Sequence, residues 1–518
     1  MELPTRIFPI GIQDFEQLRT RNYAYVDKTA LVYQMVSTNQ IYFLSRPRRF
    51  GKSMLLSTLK SYFEGKKHLF EGLAMEQLEK EWNTYPVLHI SFARTRYNEV
   101  KNLHVLLNIQ LSEWEKLYGR NAEEESFGAR FDGIIKRAYA KTGREVVVLI
   151  DEYDSPMLDS NGQKELQKEL RNIVREFFSP LKDNTLMLRF LFITGITKFS
   201  QMSIFSELNS LNNISMDYQY STICGITEAE LLNNFQPDIE ALAEENEETY
   251  EEACAHLKRM YDGYHFNQRS EGVYNPFSII NVLSKKMYDS YWYSSGTPTF
   301  LVELLKKEQM DLRELEQSEA TAQSFDRSTD TLTDVLPVLY QSGYLTIKGY
   351  QHNIYTLGYP NEEVKYGFIN SLLPSFVGRS QIESEISLIA MKRALDKGDI
   401  EACMTRFRSF VASIPYELKS DNETRFETIF YILFRLMGQF VQTQLKTSAG
   451  RADVVITNDS YVYLFELKVG ATPDEALAQI DDRGYGVPYE AGNRTVVKVG
   501  VSYDKETRNI TEWKVKGM

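Results

Sequence analysis

The chain is poor in cysteine. Its three cysteines, Cys224, Cys254 and Cys403, are far apart and in no metal-ligand spacing. That excludes a disulfide framework and points to reduced thiols in a cytoplasmic protein. No apolar run reaches about 18 residues, so no membrane span is expected. The first residues, MELPTRIFPIGIQDF, lack the apolar core of a secretion signal. Positive charge is in deficit: 59 Lys and Arg face 71 Asp and Glu, a net charge of −12. This balance argues against a protein that coats nucleic acid non-specifically. Locally basic stretches remain, among them RPRR and EGKKHLF. Internal repeats and low-complexity linkers are also missing, so the parts of the chain are expected to pack together. With 32 Tyr and 29 Phe in 518 residues, disorder is excluded as well. The length suggests about three domains at roughly 150 residues each.

One further absence sits inside a motif. SRPRRFGKS, residues 45–53, ends like a phosphate-binding loop in Gly51-Lys52-Ser53. The first glycine of G-x-x-x-x-G-K-[ST] is missing, and Arg46 stands in its place. Pro47 follows and fixes φ near about −65°. The surroundings are those a phosphate loop needs: IYFLS (41–45) reads as a strand before it and KSMLLSTLKSYFEG (52–65) as a helix after it. Backbone N–H groups at a helix N-terminus face phosphate, and the helix dipole favours its charge. Gly51 lets the backbone approach, Lys52 would reach the terminal phosphates, and Ser53 would hold Mg²⁺.

A partner for that loop follows. EVVVLIDEYD (145–154) reads as a strand buried on both faces, delivering Asp151 and Glu152 at its end. Asp151 would contact Mg²⁺ and Glu152 would act as general base on water. The alternative is a pair of solvated turn acids; the order of loop and acidic strand favours the site. MLRFLFITGIT (187–197) is a third such strand, with Thr194 and Thr197 placed to sense phosphate or merely to cap the strand end. Arg171, Arg175 and Arg189 are candidate charge stabilisers, and nothing selects among them. The loop arginines Arg46, Arg48 and Arg49 are expected to serve phosphate, a partner or nucleic acid.

Strands alternating with helices over 1–225 predict a parallel sheet flanked by helices. Residues 226–300 are helical by period and read as a lid. Residues 301–385 place a helix before GYLTIK and IYTL, the pattern of a winged-helix-like region. A helical connector (386–415) leads to a last unit, 416–518, with a helix over NETRFETIFYILFRLMGQF and strands at 451–457, 461–469 and 494–503. The fold class is α/β throughout.

The last unit holds GRADVVITNDSYVYLFELKVG. A two-residue hairpin loop at 458–459 would pair Thr457 with Ser460, Val455 with Val462 and Asp453 with Leu464. Period-two alternation then puts Asp453, Glu466 and Lys468 on one face. Two carboxylates suit Mg²⁺ or Mn²⁺, and a lysine beside them would position water or neutralise charge. The alternative is a salt-bridge cluster on a solvated sheet face.

Several of these segments, with YVDKTALVYQMV and MYDGYHF…VYNPFSIINVL, resemble the AAA-ATPase-like proteins of bacteria over roughly the first 290 residues. In that family the degenerate loop RPRRFGKS is itself the recurring form. The resemblance implies an ATP-binding P-loop domain, with Lys52 and Ser53 in the loop and Asp151 and the catalytic Glu152 on the acidic strand; Arg46, Arg49, Phe50, Gly51 and Thr194 are expected at the nucleotide from their positions beside these. The D…ExK pattern resembles the PD-(D/E)XK nuclease superfamily over roughly 415–518, with Ala452 where the motif's proline would be. It implies a restriction-endonuclease-like fold, with Asp453 and Glu466 as metal ligands, Lys468 catalytic and Gln479 on the following helix. Glu427 is a further acidic candidate, and equally a surface residue. Together these imply ATP, Mg²⁺ and nucleic acid as ligands, and allow a homo-oligomer. The expected function is ATP-gated, metal-dependent nucleic-acid cleavage, with defence or mobile-element control as a setting. The alternative is an ATP-dependent switch or scaffold that binds partners or nucleic acid without cutting.

Overall fold

The computed structural model describes residues 7–197, 211–294, 314–326, 335–378, 380–414, 432–434, 436–437, 442–445, 454–489, 492–504 and 506–517. Two compact units emerge. The first holds the described residues up to 294 together with Glu316–Val364, and the second runs chiefly from Lys365 onward.

The first unit is built on five parallel strands: β1 (Ile41–Ser45), β2 (Val87–Ser91), β3 (Val146–Asp151), β4 (Leu188–Gly195) and the short β5 (Asn212–Asn213). Their order is β2-β3-β4-β1-β5. Every residue of β1 and β3 is buried. Such apolar, β-branched runs are stable only with helices on both faces. The core joins Phe43, Val148 and Ile193 of the strands to Leu107, Phe131, Val174 and Phe177 of the helices Val100–Tyr118, Phe127–Thr142 and Lys164–Phe178. Each such side chain contributes about 1.5–3 kcal/mol when fully buried. The strand carrying the loop, β1, does not touch the acidic strand β3; β4 lies between them. Three carboxyl ends therefore stand side by side, the edge where open α/β sheets hold ligands.

Three further helices follow, Glu228–Glu245, Tyr250–Tyr261 and Pro276–Lys285. Capping boxes open the first two: Thr227 pairs with Glu230, and Thr249 with Glu252. Asn275 caps the third, with Pro276 at its first position. Their apolar faces meet in a second core of Leu231, Phe235, Leu257, Tyr261 and Val282, which also takes in Ala24.

Beyond them lies a three-stranded antiparallel sheet of β6 (Ser318–Thr321), β7 (Thr346–Gln351) and β8 (Ile354–Gly358), in the order β6-β8-β7. The helix Val335–Ser342 precedes the hairpin. His352 and Asn353 both take positive φ, 51° and 65°, as a two-residue hairpin turn requires. The sequence marks the hairpin but not β6, because SEAT is short and polar.

The second unit takes in most of the helix Glu362–Val377 and then the helices Gln381–Asp396 and Ile400–Ala412. Its mixed sheet contains β9 (Gln442–Leu445), β10 (Val454–Thr457), β11 (Tyr461–Val469), β12 (Thr495–Asp504) and β13 (Asn509–Lys516), in the order β13-β12-β11-β10-β9. Only β11 and β12 are parallel, and the helix Pro473–Asp482 makes the crossover between them. That helix crosses β12 so closely that a side chain on Gly500 would run into Pro473 O. Most of NETRFETIFYILFRLMGQF, Glu427 included, lies outside the described residues. Among the described residues, no helix is long and apolar enough to cross a membrane.

Candidate nucleotide and nuclease sites

The helix Lys52–Phe63 starts at Gly51, whose φ of 91° and ψ of 16° are left-handed and favour glycine. No side chain caps this helix, and no heavy atom lies within 4 Å of where a Gly51 Cβ would be. The turn is thus open where a phosphate loop must admit its ligand. Lys52 is 4% exposed, and its Nζ donates to the carbonyls of Arg46 and Pro47, both at 3.0 Å.

Ser53 Oγ donates to Asp151 Oδ2 at 2.6 Å, and Thr194 Oγ1 donates to Asp151 Oδ1 at 2.7 Å. Both carboxylate oxygens are therefore fixed, one from the loop and one from the strand between. Thr194 is fully buried. It orients Asp151 and presents no hydroxyl to a ligand, unlike the direct nucleotide contact expected of it. A serine hydroxyl beside a carboxylate is the hard oxygen set that Mg²⁺ prefers.

Glu152 adopts φ of 49°, a conformation unusual for a residue with a side chain. Ser155 Oγ donates to its Oε2 at 3.2 Å. Burial pushes the Glu152 carboxyl up, while Lys52 and Arg48 pull it down. A carboxyl raised in this way is suited to accept a proton from water.

In the second unit the hairpin register differs from the expected one. Thr457 pairs with Val462 and Val455 with Leu464, and the Asn458 N–H donates to Tyr461 O at 3.0 Å, so each partner on β11 lies two residues further along than supposed. The cause is Asn458. Its Oδ1 accepts from the N–H of Ser460 at 3.1 Å and of Tyr461 at 2.7 Å, a side-chain-built turn that keeps Asn458 on the near side and closes the hairpin at Tyr461. A shift of two leaves the faces unchanged. Glu466 and Lys468 still share the face of Leu464, which the helix Pro473–Asp482 covers through Leu477 and Ile480. Gln479 of that helix reaches both: its Nε2 donates to Glu466 Oε1, and its Oε1 accepts from Lys468 Nζ at 2.5 Å. Lys468 Nζ lies 3.6 Å from Glu466 Oε1. Glu466 is 1% exposed. Asp453 lies outside the described residues. Among the described residues, no three His, Cys, Asp or Glu side chains cluster as metal ligands.

A family model described as predicted AAA-ATPase matches residues 9–205, and one for the PD-(D/E)XK nuclease superfamily matches residues 421–513. A protein of Azotobacter chroococcum mcd 1, described as an uncharacterized protein in the vnfD 5′ region, is 35% identical over 534 residues, covering 98% of this chain and 99% of its own length. The chain belongs to the AAA-ATPase-like family with a C-terminal PD-(D/E)XK nuclease superfamily domain. No solved structure matches it.

In this AAA-ATPase-like chain the loop's irregular front end has a physical explanation. Arg46 is 1% exposed. Its Nη1 donates to Ser45 O at 2.9 Å and Ser215 O at 2.7 Å, and its Nη2 to Tyr220 O at 3.2 Å. The guanidinium also lies 3.9 Å from the Phe266 ring centre. Burial brings its pKa down to about 10. Arg46 therefore turns into the interior, and the expectation that it meets phosphate is corrected. The Phe50 side chain is likewise turned inward: it is fully buried, with Tyr264 and Phe266 edge-on at 4.7 and 5.5 Å, so in this loop Phe50 has only its backbone to offer a ligand. Arg49, at φ of 64°, lies 4.1 Å from the centre of the Phe277 ring. Arg48 O accepts from Trp292 Nε1 at 3.0 Å. Gly343 comes so close to Pro47 that a Cβ there would stand 2.7 Å from Pro47 Cβ. Side chains from three later segments thus shape the turn that a glycine usually shapes.

Sequence reasoning missed these supports, although YDGYHF was singled out as a motif. It also missed Asp154. That carboxylate is fully buried and accepts from the N–H groups of Ile196 and Thr197 and from Thr197 Oγ1, tying the end of β3 to the end of β4. Thr197 is accordingly a partner of Asp154. Arg189 stands at the amino end of β4, between the rings of Phe63 and Tyr85, away from the carboxyl ends. Arg171 and Arg175 lie on the helix Lys164–Phe178.

Proposed function

We propose that the chain binds and hydrolyses ATP at Lys52, Ser53, Asp151 and Glu152, and that its nuclease-superfamily domain cleaves nucleic acid with a divalent metal under nucleotide control. The observation that carries the first half is the Ser53–Asp151 hydrogen bond of 2.6 Å, which joins an uncapped helix start to an acidic strand end. In this reading Ser53 and Asp151 hold Mg²⁺, and Lys52 exchanges its two carbonyl partners for terminal phosphate oxygens. The ion would neutralise charge on the phosphates. Glu152 takes the proton of the attacking water. The helices of 226–300 serve as lid and the 301–385 region as winged-helix-like relay.

For the second half, the convergence of Glu466, Lys468 and Gln479 supports the reading. Glu466 with Asp453 would hold Mg²⁺ or Mn²⁺, whose chemistry is to activate water and stabilise the phosphate transition state. Lys468, held by Gln479, neutralises developing charge. The setting we propose is cytoplasmic defence or mobile-element control, with the chain able to self-assemble.

The test is a cleavage assay on DNA and RNA substrates, single- and double-stranded, with and without ATP, in Mg²⁺ and Mn²⁺. Loss of cutting in Glu466→Ala is expected, as is loss of nucleotide dependence in Lys52→Ala. Equal cutting by Glu466→Ala and wild type would overturn the site. A second reading, an ATP-dependent switch that does not cut, is favoured by the 1% exposure of Glu466. It stands if wild type cuts nothing in any nucleotide condition.

A further inference from the structure

Beside the nucleotide loop, the segments that follow β2 and β3 line a cavity of about 480 Å³ that is open to solvent on one side. Its walls include Arg48 from the loop, Arg96 and Asn98 from beyond β2, and Glu152, Ser155 and Asp159 from beyond β3. The loop's arginines differ in what they touch. Arg46 and Arg49 stack on Phe266 and Phe277, whereas Arg48 lines the cavity. Among the described residues, neither the Arg48 nor the Arg96 guanidinium makes a hydrogen bond or ion pair. The acids opposite are held in place: Glu152 by Ser155 Oγ, and Asp159 by the N–H of Tyr97 at 3.1 Å. The Arg48 backbone is pinned too, through Trp292.

Two unpartnered guanidiniums beside a carboxylate that can activate water define a ligand chemistry. A guanidinium fork matches two oxygens of a tetrahedral phosphate group. One water needs about 30 Å³, so the cavity has room for a phosphate group and several waters. We infer that this cavity is an anion pocket in which Arg48 and Arg96 clamp a phosphate group, either the terminal phosphoryl of the bound nucleotide or orthophosphate after its release. The inference rests on the ATP-binding reading and extends it. The cation that meets the terminal phosphate comes from the chain itself and needs no neighbouring subunit.

The experiment uses the full chain with Mg²⁺ and measures affinity for ATP, for ADP, and for ADP in the presence of orthophosphate. Arg48→Ala and Arg96→Ala are compared with wild type, Arg48→Lys and Lys52→Ala. Both arginines are exposed, so the variants should fold, and thermal melts verify it. The expected result is ADP affinity within about 2-fold of wild type and an ATP preference reduced about 10-fold, or roughly 1.4 kcal/mol. Loss of ATP preference alone assigns the pocket to the terminal phosphoryl. Loss of the orthophosphate effect on ADP assigns it to the released anion. Unchanged ATP preference and unchanged orthophosphate response in both alanine variants overturn the inference, even where Lys52→Ala still abolishes nucleotide binding. If wild type binds neither nucleotide, the ATP reading itself falls, and the pocket with it.

Discussion

Ser53 Oγ and Asp151 Oδ2 stand 2.6 Å apart although 98 residues separate them in the chain. Ser53 opens the helix that follows β1, and Asp151 ends β3, a strand that is not β1's neighbour in the sheet. Only the carboxyl-end alignment of β1, β4 and β3 brings them together. Ser53→Ala is expected to weaken Mg²⁺-dependent nucleotide binding about 10-fold, or roughly 1.4 kcal/mol, with metal-free binding near wild type. Ser53→Thr keeps the hydroxyl and should keep the affinity. Calorimetric titration with and without Mg²⁺ reads the difference, and an Ala variant as metal-dependent as wild type would exclude Ser53 as ligand.

Arg46 predicts a stability effect where a phosphate ligand would give only an affinity effect. Arg46→Ala removes the donors to the carbonyls of Ser45 and Ser215, leaves Tyr220 O with the Ile223 N–H alone, and removes the contact with Phe266. The expected cost is about 3 kcal/mol or more. Arg48→Ala, with an exposed side chain, should stay within about 0.5 kcal/mol. Urea denaturation midpoints separate the two, and equal midpoints would contradict the buried role.

One buried group and one half-buried group give the first unit opposed pH dependences. Glu363, 1% exposed, accepts from Ser278 Oγ at 2.8 Å and the Trp292 N–H at 2.6 Å, yet burial pushes its carboxyl up to about 7. The folded state holds a proton that the unfolded chain releases near 4.5. Its stabilising share is therefore present below about pH 4.5 and lost as pH rises through about 7, roughly 3 kcal/mol in all. His89 works in the other direction: burial pulls its imidazole down to about 4 from 6.5. Its share is present above 6.5 and lost as pH falls through 4. Relative to wild type, Glu363→Gln should gain stability as pH rises from 5 to 8. His89→Gln should gain as pH falls from 6.5 to 4. Denaturation midpoints across pH 4 to 8 check both, and a difference from wild type that does not vary with pH would refute the assignment.

Gly500 lies beneath the helix that carries Gln479. Gly500→Val is expected to cost about 1–3 kcal/mol by overpacking. It should also displace Gln479 from Glu466 and Lys468. Metal-dependent cleavage should then fall further than the fraction of folded protein does. Cleavage rates corrected for the folded fraction, compared with those of Gln479→Ala, test the link. A rate that tracks folding alone would leave Gln479 without a positioning role.

The sequence made the strands legible because β1, β3 and β4 are unbroken apolar runs, a pattern only a doubly covered sheet produces. It made Glu466 and Lys468 legible because alternation survives a register error of two, whereas Gln479, on a helix, was reached only through the resemblance to the nuclease superfamily. The position of the turn was not legible, since it depends on what the Asn458 side chain bonds to. Nor was the inward turn of Arg46: an arginine beside a phosphate loop suggests phosphate, and only the packing of Phe266 and the carbonyls of Ser215 and Tyr220 directs it elsewhere. Short, polar β6 and the late strand β13 carry no periodic signal strong enough to stand out alone.

The aromatic cradle around Phe50 and Arg46 bears on how this protein can be divided. The AAA-ATPase model stops at residue 205, but the rings that seat the loop belong to Tyr264, Phe266, Phe277 and Trp292. A truncated protein ending at that border would keep every residue of the motif and lose its scaffold, leaving a buried cation and a bare phenyl ring in water. The smallest excisable nucleotide-binding piece must therefore extend past Trp292, however complete the motif looks without it.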